Sequence, residues 1–469
     1  MESNNIHLFE FNGKKYAYLN NAYIVIALND LSYKVFQQHN KYGDLNIDEL
    51  KSFNFSIDRI NKIKEVYNKL KNYGVFDCNY INLDCLNKNS KNPIYNTATI
   101  FLTDKCNLKC IYCYEDNNGH TFIDKKVITK TLEFLKENSY DKKININLFG
   151  GEPLLSIDLI KFLLNESSRL GINNRVNYSI TTNGTIMNNE IFNILKKNNI
   201  SIALSLDGNK SQQNINRPFK NGRASFEVID KNIENYFKKL KEKIVVKSTI
   251  TKNNKNLKDI YNQVEKYDFD VSIINLAITN DENIKLSDLE FEDILRISNL
   301  IANDYVYKVI NNIKCPAPSF ITMWLIQMYP NLRRNSYCGI NDNAIAIDTY
   351  GNIYACHRFV GMKNMILGNI ASNDSLKLND KREKYLIQNE NCENCWCKNI
   401  CNGGCAHENY IFNNPKDFNF ICLLRQKWIE ISLGVYAEIC NSNPKALINI
   451  VGDDIFSNEA NRFIALDKI

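Results

Sequence analysis

Apolar residues along this chain arrive in three successive rhythms. Between residues 6 and 28 they form short runs rich in β-branched and aromatic side chains, HLFEF, KYAYL and AYIVIAL. Asn12-Gly13 separates the first two, and that dipeptide closes a two-residue hairpin because both members tolerate positive φ. Three amphipathic stretches follow, each behind a polar cap: Asn29-Asp30 before LSYKVFQQ, Asn46 before IDELKSF, and Ser56 with Arg59 opening IDRINKIKEVYNKLKNYG up to Gly74. Strands beside a helical trio predict a winged-helix-like α+β domain over residues 1–78, and the polar, Asn-rich residues 78–95 read as a linker.

From Thr97 strand and helix patterns alternate. ATIFLT, ININLF, NYSITT, SIALSL, IVVKSTI and VSIINLAI have the character of buried strands. VITKTLEFLKEN, LIKFLLNESSRL, EIFNILKKN, FEVIDKNIENYFKKLKE and LKDIYNQVEKY lie between them with helical periodicity. About six βα units in succession predict an α/β fold, a parallel sheet curled into a partial (βα)6 TIM-like barrel, with chemistry at the C-terminal ends of its strands. This barrel spans residues 97–283, and residues 284–337 read as a helical bridge. The third rhythm, from 338 to 469, is irregular, rich in Cys and Gly, and contains one closing helical segment, RQKWIEISLGVYAEIC.

With 469 residues, 44% of them hydrophobic, the chain has the apolar mass for two or three cored domains. Its net charge of +6 is scattered rather than blocked, which gives no sign of a nucleic-acid partner. No apolar run reaches about 18 residues, and Met1-Glu2-Ser3-Asn4-Asn5 is too polar for a secretory signal, so the expectation is a cytoplasmic protein without a membrane span. Fifteen cysteines then need a reason other than disulfides, which a reducing compartment disfavours. Ten of the fifteen fall into two patterned groups; Cys78, Cys85, Cys315, Cys397 and Cys440 stand outside the pattern, as free thiols do.

The first barrel strand runs into Thr103-Asp104-Lys105-Cys106-Asn107-Leu108-Lys109-Cys110-Ile111-Tyr112-Cys113, a C-x3-C-x2-C loop. Three thiolates can hold three irons of a cubane 4Fe-4S cluster where an electron carrier takes four, and an amino-acid moiety can chelate the open iron through its amine and carboxylate. Zinc is the other reading, although a closed zinc site takes a fourth protein ligand. Phe149-Gly150-Gly151-Glu152-Pro153 ends the second barrel strand, Thr181-Thr182-Asn183-Gly184 the third and Ser205-Leu206-Asp207-Gly208 the fourth. Singly each is a tight or capped turn. Together they stand at one mouth of the barrel.

The C-x3-C-x-aromatic-C spacing, the GGEP one βα unit later, and the TNG and S-x-DG turns resemble the radical S-adenosylmethionine (SAM) superfamily over residues 97–280. The resemblance implies that Cys106, Cys110 and Cys113 carry a SAM-binding 4Fe-4S cluster and that Tyr112 lies against the adenine. Gly150, Gly151, Glu152 and Pro153 then receive the methionyl ammonium, and Asn183, Ser205 and Arg217 contact SAM. Asp207 stands as a catalytic candidate, a substrate-side acid or base. Lys247-Ser248-Thr249-Ile250-Thr251, ending the fifth strand, fits the family less specifically. The implied chemistry is reductive cleavage of SAM to a 5'-deoxyadenosyl radical.

Downstream, Cys338 and Cys356 flank Gly351 as C-x12-G-x4-C, and Cys392, Cys395, Cys401 and Cys405 give C-x2-C-x5-C-x3-C, with Cys422 beyond. Thiolates so spaced ligate zinc or iron-sulfur clusters. The pattern resembles the SPASM domain of radical SAM peptide and protein maturases, which makes residues 338–469 an auxiliary-cluster domain. One or two auxiliary 4Fe-4S clusters are implied. Cys392, Cys395, Cys401 and Cys422 hold one; Cys338, Cys356 and Cys405 hold the other, whose fourth position either takes Cys315 or stays open to a substrate thiolate. Family members carry a further cysteine where this chain has Pro330-Asn331-Leu332-Arg333-Arg334, and Cys397 has no place in the pattern.

The whole resembles a maturase of ribosomally made peptides. That implies a precursor-peptide substrate whose leader adds as a strand to an exposed edge of the N-terminal sheet, thioether crosslinking of Cys residues, and a flavodoxin or ferredoxin as electron donor. Two further readings stand beside it: a sulfatase-type maturase forming formylglycine, and a non-catalytic metal- or redox-sensing regulator whose winged helix binds DNA. Against the regulator, DRINKIKEVYNKLKNYG mixes acids with its Lys and Arg, unlike a groove-reading helix.

Overall fold

The computed structural model describes residues 5–53, 55–76, 94–115, 121–140, 142–329, 338, 340, 343–372, 392–412, 415–453, 456 and 462–467. At the N-terminus β1 (Ile6–Phe11) and β2 (Lys14–Leu19) pair antiparallel about Asn12 and Gly13, both at positive φ, and β3 (Ile24–Leu28) adds to β2. The helices α1 (Asp30–Tyr42), α2 (Ile47–Lys51) and α3 (Ile57–Asn72) each begin where a side chain, Asn29, Asn46 or Ser56, accepts a backbone N–H of the first turn. They close one face of the sheet around Leu31, Phe36, Ile60, Ile63 and Tyr67.

Six parallel strands follow, each hydrogen-bonded to the next: β4 (Thr97–Thr103), β5 (Ile144–Gly150), β6 (Val176–Thr182), β7 (Ser201–Ser205), β8 (Ile244–Ile250) and β9 (Val271–Leu276). Their crossovers carry α4 (Lys125–Asn138), α5 (Ile157–Arg169), α6 (Asn189–Lys197), α7 (Lys210–Asn216), α8 (Phe226–Asn235) and α9 (Leu257–Lys266). One expected helix is broken: Tyr236 leaves helical backbone after α8, and Phe237 turns fully into the core at the start of a kinked segment. Alternate strand residues such as Ile100, Leu148, Ile180, Leu204 and Val246 pack outward under the helices. The intervening positions face the lumen and are largely polar, among them Thr181, Ser205, Lys247, Thr249 and Asn275.

The sheet is longer than six βα units require. After α10 (Asp288–Ile310), β10 (Ala317–Pro318) pairs parallel with β9 and leads into α11 (Ser319–Gln327). On the other side β11 (Ala344–Ile347) pairs parallel with β4, and β12 (Asn352–Tyr354) and β13 (Gly368–Asn369) continue antiparallel. The Cys-rich region is thereby joined to the barrel through one continuous sheet. Beyond it come α12 (Lys398–Cys401), α13 (Ala406–Ile411) and α14 (Pro415–Ser442), a helix of 28 residues where the sequence pattern predicts about half that length. α14 packs on α10 and α11 in a second core with Trp324, Trp428 and Tyr436, which Phe9, Phe11 and Tyr18 of the small sheet complete. A Cβ at Gly434 would run into the Phe11 ring, so this glycine permits the close approach.

Last, β14 (Phe463–Ala465) pairs parallel with β3, with Val25 N–H on the Arg462 carbonyl and Leu466 N–H on that of Ala27. In the order β1-β2-β3-β14 the chain covers the β3 edge itself. Among the described residues β1 and β14 are the two edges of this sheet. No helix among them is long and apolar enough to cross a membrane.

Candidate active site

The cysteine loop after β4 is fastened by backbone bonds to three neighbours. Gly151 N–H donates to Thr103 O at 2.9 Å and Glu152 N–H to Lys105 O at 2.8 Å, which ties it to the end of β5. Lys109 N–H reaches Pro218 O at 2.8 Å and Ile111 N–H reaches Asn216 O at 3.0 Å, which ties it to the end of α7. Asn183 Nδ2 donates to Asn107 Oδ1 at 2.8 Å, which ties it to the end of β6. The first of these contacts explains the paired glycines: Gly150 has φ +126°, and a Cβ on Gly150 or Gly151 would collide with the carbonyl oxygen of Thr103 or Lys105.

Cys106, Cys110 and Cys113 face a cavity of about 1100 Å³, counted to its open mouth, together with Tyr112, Gly150, Gly151, Asn183, Ser205 and Arg217. Asn183 Nδ2 lies 3.8 Å from Cys106 Sγ. Burial, reinforced by the Glu152 carboxylate, pushes the Cys106 thiol up to about 11; burial pushes Cys110 up to about 12 against the pull of Arg217. A metal bound here displaces those protons. Among the described residues no three or more His, Cys, Asp or Glu side chains are gathered closely enough to hold one metal ion. Thiols spread around a shared cavity fit a cubane, which divides its ligands among separate irons.

Three of the expected contact residues do not line the cavity. Glu152, fully buried, accepts from Leu154 N–H at 3.1 Å, Thr182 Oγ1 at 2.8 Å and Asn183 N–H at 2.7 Å. Those donors fasten the end of β5 to the end of β6 and leave the carboxylate behind the wall, where burial pushes it up to about 7. Pro153 begins the short turn beside it. Asp207, also fully buried, accepts from Tyr112 Oη at 2.5 Å and Thr249 N–H at 2.9 Å, and pairs with Arg217 Nε at 3.1 Å. It positions Tyr112 and Arg217, whose guanidinium lies 5.4 Å from the Tyr112 ring centre, and has little acceptor capacity left for acid-base work.

The far wall holds residues the motifs did not single out. Lys247, Thr249 and Asn275 come from the lumen faces of β8 and β9; His357, Arg358 and His407 come from the Cys-rich region. Adjacency was the available signal, since His357 and Arg358 follow Cys356 and His407 lies two residues after Cys405. Burial holds both histidines neutral, His357 down to about 3 and His407 down to about 4.

The C-terminal cysteines stand in two groups. Burial and then the neighbouring Cys405 and Cys338 push Cys356 up to about 12. Burial, with Cys401, Cys392 and Cys395 adding, does the same to Cys422. Cys397 is buried with its sulfur 3.5 Å from that of Cys395, and it also bonds Cys401. That bond holds Cys395 down to about 6. Cys315 is placed elsewhere: its thiol meets Tyr261, with Lys308, Asp304 and Glu265 as its charged neighbours, because the turn between α10 and α11 packs it against the second core. It is not positioned to complete the group of Cys338, Cys356 and Cys405. Cys78, Cys85 and Pro330 to Arg334 lie outside the described residues.

The family model for the radical SAM superfamily matches residues 100–267. The radical SAM cyclopropyl synthase TigE of Paramaledivibacter caminithermalis is 26% identical over 65% of this chain and 66% of its own length. The cysteine-type anaerobic sulfatase-maturating enzyme of Clostridium perfringens is 22% identical over 72% of this chain and 96% of its own. The solved structure of Streptococcus suis SuiB bound to precursor peptide SuiA shares the fold with a TM-score of 0.50 at 17% identity, covering 89% of this chain and 97% of that one.

Proposed function

Because this chain carries a radical SAM domain, a family that works with a 4Fe-4S cluster and SAM, we propose that it modifies a ribosomally made precursor peptide by thioether crosslinking of Cys residues. One observation carries the reading: the thiols of Cys106, Cys110 and Cys113 open on the same cavity as His357, Arg358 and His407, which adjoin cysteines of the C-terminal set. In this reading the three thiolates hold the SAM-binding cluster. Bound there, cluster and SAM supply a 5'-deoxyadenosyl radical by reductive cleavage, able to take hydrogen from an unactivated C–H bond.

The chain's own residues bind, orient and shield. Gly150 and Gly151 admit close backbone approach, Asn183, Ser205 and Arg217 offer polar contacts to SAM, and Tyr112 presents its ring to the adenine in the orientation Asp207 fixes. Walls from both the barrel and the Cys-rich region exclude water that would quench a primary radical. Cys392, Cys395, Cys401 and Cys422 hold one auxiliary cluster. Cys338, Cys356 and Cys405 hold another whose remaining position suits a substrate thiolate, Cys315 being engaged elsewhere. A leader peptide adds at an edge of the small sheet, β1 or β14, and a flavodoxin or ferredoxin supplies the electron. The sulfatase-maturating relative favours a second reading, oxidation of a Cys to formylglycine.

Anaerobically reconstituted protein given dithionite and SAM is expected to release 5'-deoxyadenosine, and C106A/C110A/C113A none. Residual 5'-deoxyadenosine from that variant would falsify the cluster assignment. Mass spectrometry of a co-expressed Cys-containing peptide separates the products: a loss of two hydrogens per event marks a crosslink, and a hydrazide-reactive aldehyde marks formylglycine.

A further inference from the structure

The cavity has two charged centres, and the groups proposed for SAM account for one. Beside the cysteine loop, Arg217 is matched by Asp207 at 3.1 Å. Lys247 stands on the lumen face of β8, in register with Ser205 on one side and Ile273 on the other. Its ammonium has no hydrogen-bond or ion-pair partner among the described residues. The charge acting on it is that of Arg358, and Lys247 in turn acts on His357, so its electrostatic neighbours belong to the Cys-rich region and not to the cysteine loop.

Lys247 and Arg358 bring two cations to this side, and the carboxylate that lines the cavity, Glu115, has Asp104 and neither of them as its charged neighbour. A single carboxylate, Glu408, serves both Arg358, at 3.5 Å, and Arg425. Both ring nitrogens of His407 and the Thr181 hydroxyl lack hydrogen-bond partners among the described residues. Lys247 is half-buried, and an unpaired ammonium on a cavity wall gains most from one negative charge with acceptor oxygens. Ser205, which the reading above gives to SAM, is the neighbour of Lys247 on β7, so the carboxylate of SAM is the competing anion.

We infer that Lys247 anchors a carboxylate of the substrate peptide, an Asp or Glu side chain or the peptide C-terminus, on the side of the cavity facing the Cys-rich region. The inference rests on the peptide-modifying reading of the cavity and assigns the substrate its charge. The test is fluorescence anisotropy on the anaerobically reconstituted holoenzyme with SAM, using three labelled Ala-rich peptides: a central Asp with an amidated C-terminus, its amidated Asn counterpart, and the Asn peptide with a free C-terminus. Wild type is expected to bind one of the two acidic peptides at least about tenfold more tightly than the amidated Asn peptide, the scale of one charge-assisted hydrogen bond. Which acidic peptide it is identifies the source of the carboxylate.

Lys247→Gln should abolish the preference and Lys247→Arg should keep it. No preference in wild type, including no binding of any peptide, overturns the inference, as does a preference that survives Lys247→Gln. Equilibrium dialysis with SAM supplies the other arm: if Lys247→Gln weakens SAM binding as much as peptide binding, the ammonium belongs to SAM. Absence of 5'-deoxyadenosine from wild type would be a failure of the radical SAM reading, which the anisotropy result does not depend on.

Discussion

Of the three cations that face this cavity, the two that stand on the barrel, Arg217 and Lys247, are treated in opposite ways. Arg217 is buried in an ion pair with Asp207, which also takes Tyr112 and the Thr249 N–H, so its charge is matched before any ligand arrives although its Nε makes no hydrogen bond. Lys247, two positions before Thr249 on β8, has Arg358 as its charged neighbour and no counter-ion among the described residues. A matched buried charge orients its neighbours and stabilises the wall; an unmatched one is a standing cost that only a ligand removes.

Breaking the match gives the largest expected effect. Asp207→Ala leaves Arg217 buried without its carboxylate and orphans the Thr249 N–H, and should destabilise the reconstituted protein by about 3–5 kcal/mol in urea unfolding. A loss under about 1 kcal/mol would mean that Asp207 is not the anchor described.

Removing the unmatched charge should work in the other direction. Burial, then Arg358, lowers Lys247 from its ordinary 10.5 to about 8, so the unfolded chain binds more protons between those values. The penalty is therefore fully present below pH 8 and fades as pH rises toward 10.5. Lys247→Met is expected to stabilise peptide-free protein at neutral pH by about 1–2 kcal/mol, discounted for cavity water, and to show no gain in alkaline buffer. A stabilisation that is flat with pH would instead point to packing.

The smallest effect belongs to Tyr112→Phe, which removes one of the bonds to Asp207 and keeps the ring. About 1 kcal/mol of stability should go, with SAM affinity, read by equilibrium dialysis, falling only severalfold. Loss of SAM binding altogether would show that the hydroxyl, and not the ring, carries the contact.

Much of the fold was legible as pattern. The six barrel strands alternate outward apolar residues with lumen polar ones, and Asn29, Asn46 and Ser56 announce their helices, because cap and period are local properties. The joins were not. Ala317–Pro318, Ala344–Ile347 and Phe463–Ala465 are two to four residues long, too short to carry a period, and each is a strand only because a distant edge accepts it. The cavity divides in the same way. The cysteine spacing and the paired glycines announced a site, but the same turns suggested ligand contacts for Glu152 and Asp207, which the folded chain spends on Thr182, Asn183, Thr249 and Arg217.

The amino-acid order alone thus determined which thiols can act together and where the chain may approach itself closely, since spacing and the missing Cβ of glycine are written residue by residue. Only the tertiary structure decided which charges are answered. Whether a carboxylate meets an arginine, or a lysine meets nothing, depends on side chains delivered to one lumen by strands far apart in the chain, and no local pattern encodes that meeting.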